Sequence, residues 1–577
     1  MTKIYFFYIV ALVLYLSSCK VDLVETELRV ARFDEIRVDG ELKERIHRNF
    51  NRMEEEKYLP QNVFLTNEES GWWPGDTEGR TILALVLNSQ ATGREPKYLD
   101  AILARFPEKV NADGYFGDIH PASLVDEQQL SSHGWVFRAL CEYHLWKNDA
   151  RSLSYLNTML DNLALRTQGF HKNYPIEPLE RSFDGKVIGT RIEKSLNGWI
   201  LSTDIGCVFV FLDGLIQAYE ITGREDLRPI IDEIVTLYKR IDVDAIKAQT
   251  HSTLTGLRAI LRYYGITKDE SLLQIAKERY KAYTGMAMTE NYENYNWFGR
   301  PTWTEPCAVI DSYMSAVQLW QYTGNPVYLS DAQKIYYNGI CFEQRANGGF
   351  GLSYCSGAQG HTGVMVNTNE ASHCCSMRGG EGLSRVAQYT AFIKGNQIYL
   401  TNLVAGDYAL QLNNGQARFA VVTDYPFANR AKLSFTDDAK NLKLSFFCPM
   451  WLMDVQVLLN GKEMITSEEN GFVVVAGTFK KGDILDIVFE QKAFAIDAEN
   501  PNSMQGLHKY MFGPLLLGVR DGEIDILSKD AIIKRNGRQS FTVGEQPMTT
   551  VYHFMEPEVK AFPSPRYMIQ ILFRHEN

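Results

Sequence analysis

Four of the nine cysteines stand apart from the rest by their surroundings. Cys307, Cys355, Cys374 and Cys375 lie in polar, Gly-rich stretches, whereas Cys141, Cys207, Cys341 and Cys448 sit singly in apolar runs, where a thiol is an inert core residue. Cys307 closes Glu305-Pro306-Cys307, and the adjacent pair follows His373. Three thiolates and a carboxylate suit zinc, a borderline-soft ion that takes four tetrahedral ligands. The spacing is not that of a zinc finger. The same residues could form a vicinal disulfide, pair with Cys355, or hold a purely structural metal, and on local pattern alone a structural role outranks catalysis. Glu305 and Cys307 precede an apolar helix expected from about Ala308, and Cys374-Cys375 precede one containing Gly379, Gly380 and Gly382. Two helix N-termini facing one pocket would lower thiol pKa and favour thiolates.

Glu290 and Glu293 sit amid Tyr292, Tyr295, Trp297 and Trp303, where an apolar lining could raise a carboxyl pKa enough for general acid work. Acids in such loops are more often solvated or cap a helix. His133, in Ser132-His133-Gly134-Trp135, and His251, in Thr250-His251-Ser252-Thr253, read as the openings of inner helices that line the same mouth. Each alone is more often a capping or core histidine than a ligand. Asp76, in Trp72-Trp73-Pro74-Gly75-Asp76, either binds sugar hydroxyls or caps the helix from Thr77.

Two kinds of element must hold these residues. From about Phe33 to Tyr389 the chain alternates an apolar helix, a short break and an amphipathic helix. The breaks Thr92-Gly93, Thr222-Gly223 and Thr323-Gly324 resemble one another, and Gly265-Ile266-Thr267 is a looser copy. Glycine suits the left-handed residue that ends a helix, so each break reads as a C-cap and hairpin turn. Helices before the breaks are apolar nearly all round and those after them carry charge on one face, which predicts inner and outer layers. A closed α/α toroid satisfies this, with a linear helical solenoid as its rival. After Lys394-Gly395-Asn396 the period becomes alternating, with turn signals at Asn460-Gly461 and Lys481-Gly482-Asp483, which predicts a β-sandwich region. The expected class is α + β multidomain, with an export signal over 1–19, a helical domain over 25–390 and a β region over 391–577.

Bulk properties narrow the partners. A chain of 577 residues, 45% hydrophobic, should form more than one domain, since single cores stop growing near ~300 residues. A net charge of -11 argues against nucleic acid or anionic lipid as the target. Lys3, the apolar run from Ile4 to Leu16 and Leu16-Ser17-Ser18-Cys19 read as an export signal ending in a lipidation site at Cys19. That run is too short to cross a bilayer of about 30 Å as a helix. The expectation is an exported, membrane-anchored lipoprotein in the periplasm or on the cell surface of a Gram-negative bacterium, touching the membrane through its acyl chain alone.

Taken together, Thr304-Glu305-Pro306-Cys307 with the helix to Thr323-Gly324, Tyr337-Asn338-Gly339, and Cys374-Cys375 with its Gly-rich helix resemble glycoside hydrolase family 127, the β-L-arabinofuranosidases and their relatives. Phe447-Cys448-Pro449-Met450-Trp451, Asn460-Gly461 and Gly513-Pro514-Leu515 resemble the family's β domains, so the likeness spans nearly the whole mature chain. It implies an (α/α)6 barrel followed by β-sandwich domains, and a Zn2+ ion held by Glu305, Cys307, Cys374 and Cys375. It also implies a retaining, exo-acting hydrolase of an oligosaccharide or glycoside, with Cys374 as nucleophile. Glu290 matches the general acid/base once one residue is deleted, with Glu293 the other candidate, and His133 and His251 match sugar-binding histidines. Asp76 joins them as a substrate-binding candidate.

The sequence also departs from the family. Gln333 stands where the arabinofuranosidases have a sugar-binding Glu, and Asp204-Ile205-Gly206 stands where a His begins an inner helix. These changes point to a divergent subgroup. Hydrolysis of another furanoside, or a non-catalytic carbohydrate-binding lipoprotein with a structural zinc site, are the alternative readings. Polysaccharide lyases, which pair a toroid with a β-sandwich, need no thiolate pair.

Overall fold

The computed structural model describes residues 27–64, 73–181, 189–192, 194–354, 362–500, 506–522, 524, 526–553 and 566–575. The expected export signal, Cys19, Trp72 and Cys355 lie outside them. Among the described residues no helix is long and apolar enough to cross a membrane.

The helical part is built from α1 (Gly40–Arg52), α2 (Asp76–Thr92), α3 (Leu99–Ala104), α4 (Glu127–Lys147), α5 (Ala150–Met159), α6 (Val208–Thr222), α7 (Arg228–Arg240), α8 (Thr250–Thr267), α9 (Glu270–Met286), α10 (Pro306–Thr323), α11 (Pro326–Ile335) and α12 (Cys375–Gln388). The inner helix α2 packs on α4, α4 on α6, α6 on α8, α8 on α10, α10 on α12, and α12 back on α2. That last contact closes a ring, which a linear solenoid cannot do. Outside it, α3, α5, α7, α9 and α11 each pack on the inner helix before them, and α1 packs on both α12 and α2.

Sequence explains the two layers. In α6 every residue from Val208 to Ala218 is buried. In α7 only Ile230, Ile231, Ile234, Leu237 and Tyr238 are, a single stripe at helical spacing. The inner layer packs closely enough that a Cβ on Gly134 would lie 2.3 Å from the Val210 carbonyl oxygen, and one on Gly214 2.3 Å from that of Gly134. Any side chain at that crossing would drive α4 and α6 apart. Gly93, Gly223 and Gly324 cap their helices in the left-handed region, at φ 74°, 65° and 68°. The looser fourth break differs: Gly265 stays inside α8, and Lys268 takes the left-handed position at φ 58°.

Beyond Gln388 the chain is β. A six-stranded and a seven-stranded sheet alternate along residues 391–491, and a further, larger sheet is formed mainly by later strands. Asn460 and Gly461, both at positive φ, make the expected hairpin between Leu452–Leu459 and Lys462–Glu463. The turn at Lys481-Gly482-Asp483 instead carries the chain from the six-stranded sheet to the seven-stranded one.

The helical and β parts are also interleaved in a way the boundary at 391 did not anticipate. Arg29–Val30 pairs with Ala391–Lys394, and Ile36–Val38 pairs with Gly406–Leu412. Ser353–Tyr354 and Gly363–Asn367, between α11 and α12, pair into the third sheet. Strands of two to five residues carry too little alternation to be read from a sequence.

Candidate active site

The six inner helices run parallel around the ring, so their N-termini share one end, and the chemically suspect side chains gather there. Asp76 is the first residue of α2, His251 the second of α8, Cys307 the second of α10 and Cys375 the first of α12, while Glu305 and Cys374 immediately precede their helices. Unsatisfied backbone N–H groups give this end a partial positive charge that favours thiolates and carboxylates.

Glu305, Cys307, Cys374 and Cys375 converge, each offering a ligand atom within 4.8 Å of the other three. The Cys307 and Cys375 sulfurs are 3.7 Å apart and those of Cys374 and Cys375 3.2 Å. Thiolates about 2.3 Å from a tetrahedral zinc sit roughly 3.8 Å from one another. The donor set and spacing therefore fit such an ion, whereas a disulfide needs about 2.05 Å. Cys307 and Cys375 are fully buried, but Cys374 is partly exposed. Hydrogen bonds from Cys307 and Cys375, with Arg80 and His251 close by, hold the Cys374 thiol well below its ordinary range. Burial, together with that neighbouring charge, pushes Cys307 and Cys375 up.

Asp76 turns to the protein rather than to the mouth. Its carboxylate accepts two hydrogen bonds from Arg80 Nε, at 2.8 and 2.9 Å. Arg80 in turn lies 4.3 Å over the Trp135 ring and reaches Cys307 Sγ at 3.7 Å. Asp76 thus orients the guanidinium that faces the sulfurs. The pairing was open to view as an i,i+4 acid–base pair, but nothing in the sequence aimed Arg80 at Cys307.

His251 also belongs to the support of the cluster. Its Nδ1 is 3.3 Å from Glu305, its Nε2 is 3.3 Å from Asp311, and its ring stacks on Trp135. Burial opposes the charged ring, but Glu305 and Asp311 outweigh it and raise its pKa. Asp311 continues inward to Arg258 and Arg378.

His133, expected to bind sugar, has both ring nitrogens bonded within the protein. Helix α4 starts at Glu127, capped by Asp126, which accepts from the Gln128 and Gln129 amides. His133 therefore lies nearly two turns inside. Its Nε2 accepts from Phe116 N at 3.1 Å and its Nδ1 donates to Gln129 O at 2.7 Å, leaving no nitrogen for a ligand. Burial pushes its pKa down to about 4, so the ring is neutral.

The two loop acids point apart. Tyr292, between them, takes a left-handed backbone at φ 63°. Glu290 is bound by Lys509 Nζ at 2.8 Å and by the Asn500 amide at 2.7 Å, on the side of the β region. The Glu290 carboxylate is thus engaged by a buried ammonium and a backbone amide. Glu293 faces the interior: its Oε2 accepts from Ser353 Oγ at 2.8 Å and from the Asn291 amide. Burial pushes its pKa up to about 7, the range a general acid needs.

Two further acids lie in this region. Burial, and then the charge of Glu305, push Asp204 up to about 7, and its Oδ1 has no hydrogen-bond partner among the described residues. Glu343, 1% exposed, is raised well above its ordinary range by burial and then by the charge of Glu293. Asp204 was visible as a departure at a helix start; Glu343, between Phe342 and Gln344, gave no signal. Gln333 faces the β region, donating to Thr401 O at 3.2 Å and accepting from Tyr425 Oη at 2.8 Å.

Comparison with known proteins agrees with this architecture. No curated protein sequence matches the chain. Over 96% of its length it superimposes on 98% of a GH127 beta-arabinofuranosidase, at a TM-score of 0.71 and 14% identity. The GH127 beta-L-arabinofuranosidase from Geobacillus stearothermophilus T6 gives a TM-score of 0.68 at 13% identity, covering 94% of this chain and all of that one. Residues 397–491 match the family model for the beta-L-arabinofuranosidase GH127 middle domain, and the chain as a whole has the fold of the GH127 structures.

Proposed function

We propose that this chain is a retaining, exo-acting glycoside hydrolase of the β-L-arabinofuranosidase type, with Cys374 as nucleophile and Glu293 as acid/base. The observation that carries the reading is the four-ligand cluster in which only one sulfur, Cys374, is open to a ligand. The GH127 arabinofuranosidases that share the fold supply the substrate class.

The Cys374 thiolate attacks the anomeric carbon as the bond to the departing oxygen breaks, and Glu293 gives that oxygen its proton. Glu293 then takes a proton from water, whose oxygen displaces sulfur and releases the sugar with retained configuration. Zinc, held by Glu305, Cys307, Cys374 and Cys375, would keep the thiols ionised and fix their geometry. His251 and the Asp76–Arg80 pair hold the ligand set in place. His133 and Gln333 are engaged elsewhere, so sugar contacts differ from those the family resemblance implied. Export and lipidation at Cys19 belong to the same reading, which would place the enzyme where extracellular oligosaccharides arrive.

The test joins three measurements on one sample of mature protein. Hydrolysis of nitrophenyl furanosides and pyranosides fixes the sugar. Elemental analysis should give about one zinc per chain. A cyclophellitol-type furanoside should add one sugar-sized mass to the peptide containing Cys374. Labelling of Glu293, Glu290 or Glu305 would make a carboxylate the nucleophile, and neither labelling nor hydrolysis across the panel would leave a binding protein.

A further inference from the structure

Glu343 is the most poorly compensated acid near the site. Neither of its carboxylate oxygens has a hydrogen-bond donor among the described residues, nor has Oε1 of Glu293. Glu343 stands one helical turn after Gly339, which packs against Glu293 closely enough that a Cβ there would lie 3.9 Å from Glu293 Cγ, and the two carboxyls act on each other. Around them stand Asn291 and Ser353, which serve Glu293 Oε2, and Tyr283, whose hydroxyl reaches only the Glu293 carbonyl at 3.5 Å. Glu305 acts on Glu343 through its charge alone. The cation acting on both is Arg345, and its terminal nitrogens are spent on the carbonyls of Phe342, Glu343, Leu352 and Asn367. Two buried carboxylates that act on each other repel, and neither has a donor for the facing oxygens. One proton between them removes the repulsion, satisfies both, and leaves the pair with Arg345 electrically neutral.

We propose that Glu343 shares one proton with Glu293 and so acts as the positioning residue of the acid/base. The proposal rests on Glu293 having that role. When Glu293 passes the proton to the leaving oxygen, the pair is left with two negative charges, and this makes it a strong base toward the water of the second step. The proton lost in the first step is regained in the second, so the cycle is balanced without another donor. Glu343 touches neither sugar nor metal in this scheme; its effect is on when Glu293 holds its proton.

The experiment is infrared difference spectroscopy of the carboxyl C=O stretch in the substrate-free, metal-loaded protein, titrated through neutral pH. In an Asp204→Asn background, which removes the other carboxyl held near 7 and in which the variants below are also made, the protein should show one protonated carboxyl titrating near neutrality. Glu343→Gln and Glu293→Gln should each abolish that titration, moving the remaining acid down by about one pH unit or more. The basic limb of kcat/KM should fall by the same amount in Glu343→Gln, and Glu343→Asp should restore part of it. A neutral titration that survives in Glu343→Gln overturns the sharing, because burial of Glu293 alone then explains it. If Glu343→Gln fails to fold, Glu293→Gln decides: an isolated Glu343 still titrating near neutrality is the overturning result. The infrared arms need no turnover, so failure of the pairing and failure of the hydrolase reading are separable.

Discussion

The two ends of the helical ring use the same residue types to opposite purpose. At the C-terminal ends of the inner helices, a cavity of about 910 Å³ is lined by Arg138, Arg258, Arg262 and Arg385 among other polar groups. Their acids are matched: Asp213 lies 3.0 Å from Arg138, Glu142 2.5 Å from Arg385, and Glu381 2.8 Å from Arg138. Arginine also complements the partial negative charge of helix C-termini. At the N-terminal ends the pattern reverses. Glu293, Glu343 and Asp204 lack donors for some of their oxygens and form no ion pair among the described residues. Acids at one end are ion-paired with arginines, although some of those atoms also lack a well-aligned hydrogen bond; these three at the other end have no paired cation among the described residues, and perturbed acids of that kind gather at functional sites.

The sharpest way to break this comparison is to remove the proposed nucleophile. Cys374→Ala should lower kcat/KM by more than about 10³-fold and leave thermal stability close to wild type once metal content is matched, because its sulfur lies at the open side. Retention of activity in a metal-replete sample would put the chemistry elsewhere.

Glu293→Gln and Glu290→Gln sharpen it next. Glu293→Gln should slow poor leaving groups by roughly 10²–10⁴-fold and activated nitrophenyl glycosides far less. Glu290→Gln should leave that leaving-group dependence unchanged but destabilise the fold by about 3 kcal/mol, since it removes the carboxylate paired with buried Lys509, which keeps only the Glu290 carbonyl and the Tyr292 ring. Measuring both rates and melting for the two variants checks the assignment; exchanged outcomes would restore Glu290 as the acid.

Opposite pH dependences should follow from the two ends. Glu293 has its folded pKa raised to about 7, so the unfolded chain loses this proton first, and stability falls as pH rises from about 4 to 7, by about 3 kcal/mol from this group. Asp213 is lowered: burial opposes it, but Arg138, Arg258 and Arg262 prevail. Its contribution is therefore present above about pH 4 and lost as pH falls through its folded value. Chemical denaturation across pH should show Glu293→Gln flattening the upper decline, and Asp213→Asn weakening the fold at neutrality while flattening the acid loss.

The smallest effect on catalysis is expected at His133. His133→Gln should change KM by less than about threefold while costing about 1–3 kcal/mol of stability, because it disturbs two backbone hydrogen bonds and no ligand contact. A large rise in KM with unchanged melting would return His133 to the sugar.

Much of this was legible in the sequence, and the failures have physical causes. The Thr-Gly caps, the contrast between all-apolar and amphipathic helices, and the switch to alternation near Lys394 gave the ring and the β region. Glu305, Cys307, Cys374 and Cys375 come together as their helix-start positions implied. Asp126-Glu127-Gln128-Gln129 is polar enough to read as loop, which hid the true start of α4 and set His133 at a helix opening. Glu290 and Glu293 are three residues apart in one polar loop, and only the left-handed turn at Tyr292 sends them in opposite directions. Glu343 owes its proximity to Glu293 to tertiary packing, on which local spacing is silent.

The strand Gly363–Asn367 has a consequence for how the enzyme is made. It lies just ahead of Cys374, and its partner is Arg566–Gln570, with Gly363 opposite Gln570. The preceding strand, Ser353–Tyr354, supplies the hydroxyl that holds Glu293. A ribosome that has finished every ring helix has therefore not yet produced the segment that braces the acid. Pairings this distant in sequence are slow to find, because a long loop must close before they are rewarded. During synthesis the cysteines would wait beside an unbraced acid until residue 570 emerges, so competence to turn over substrate would arrive late and all at once.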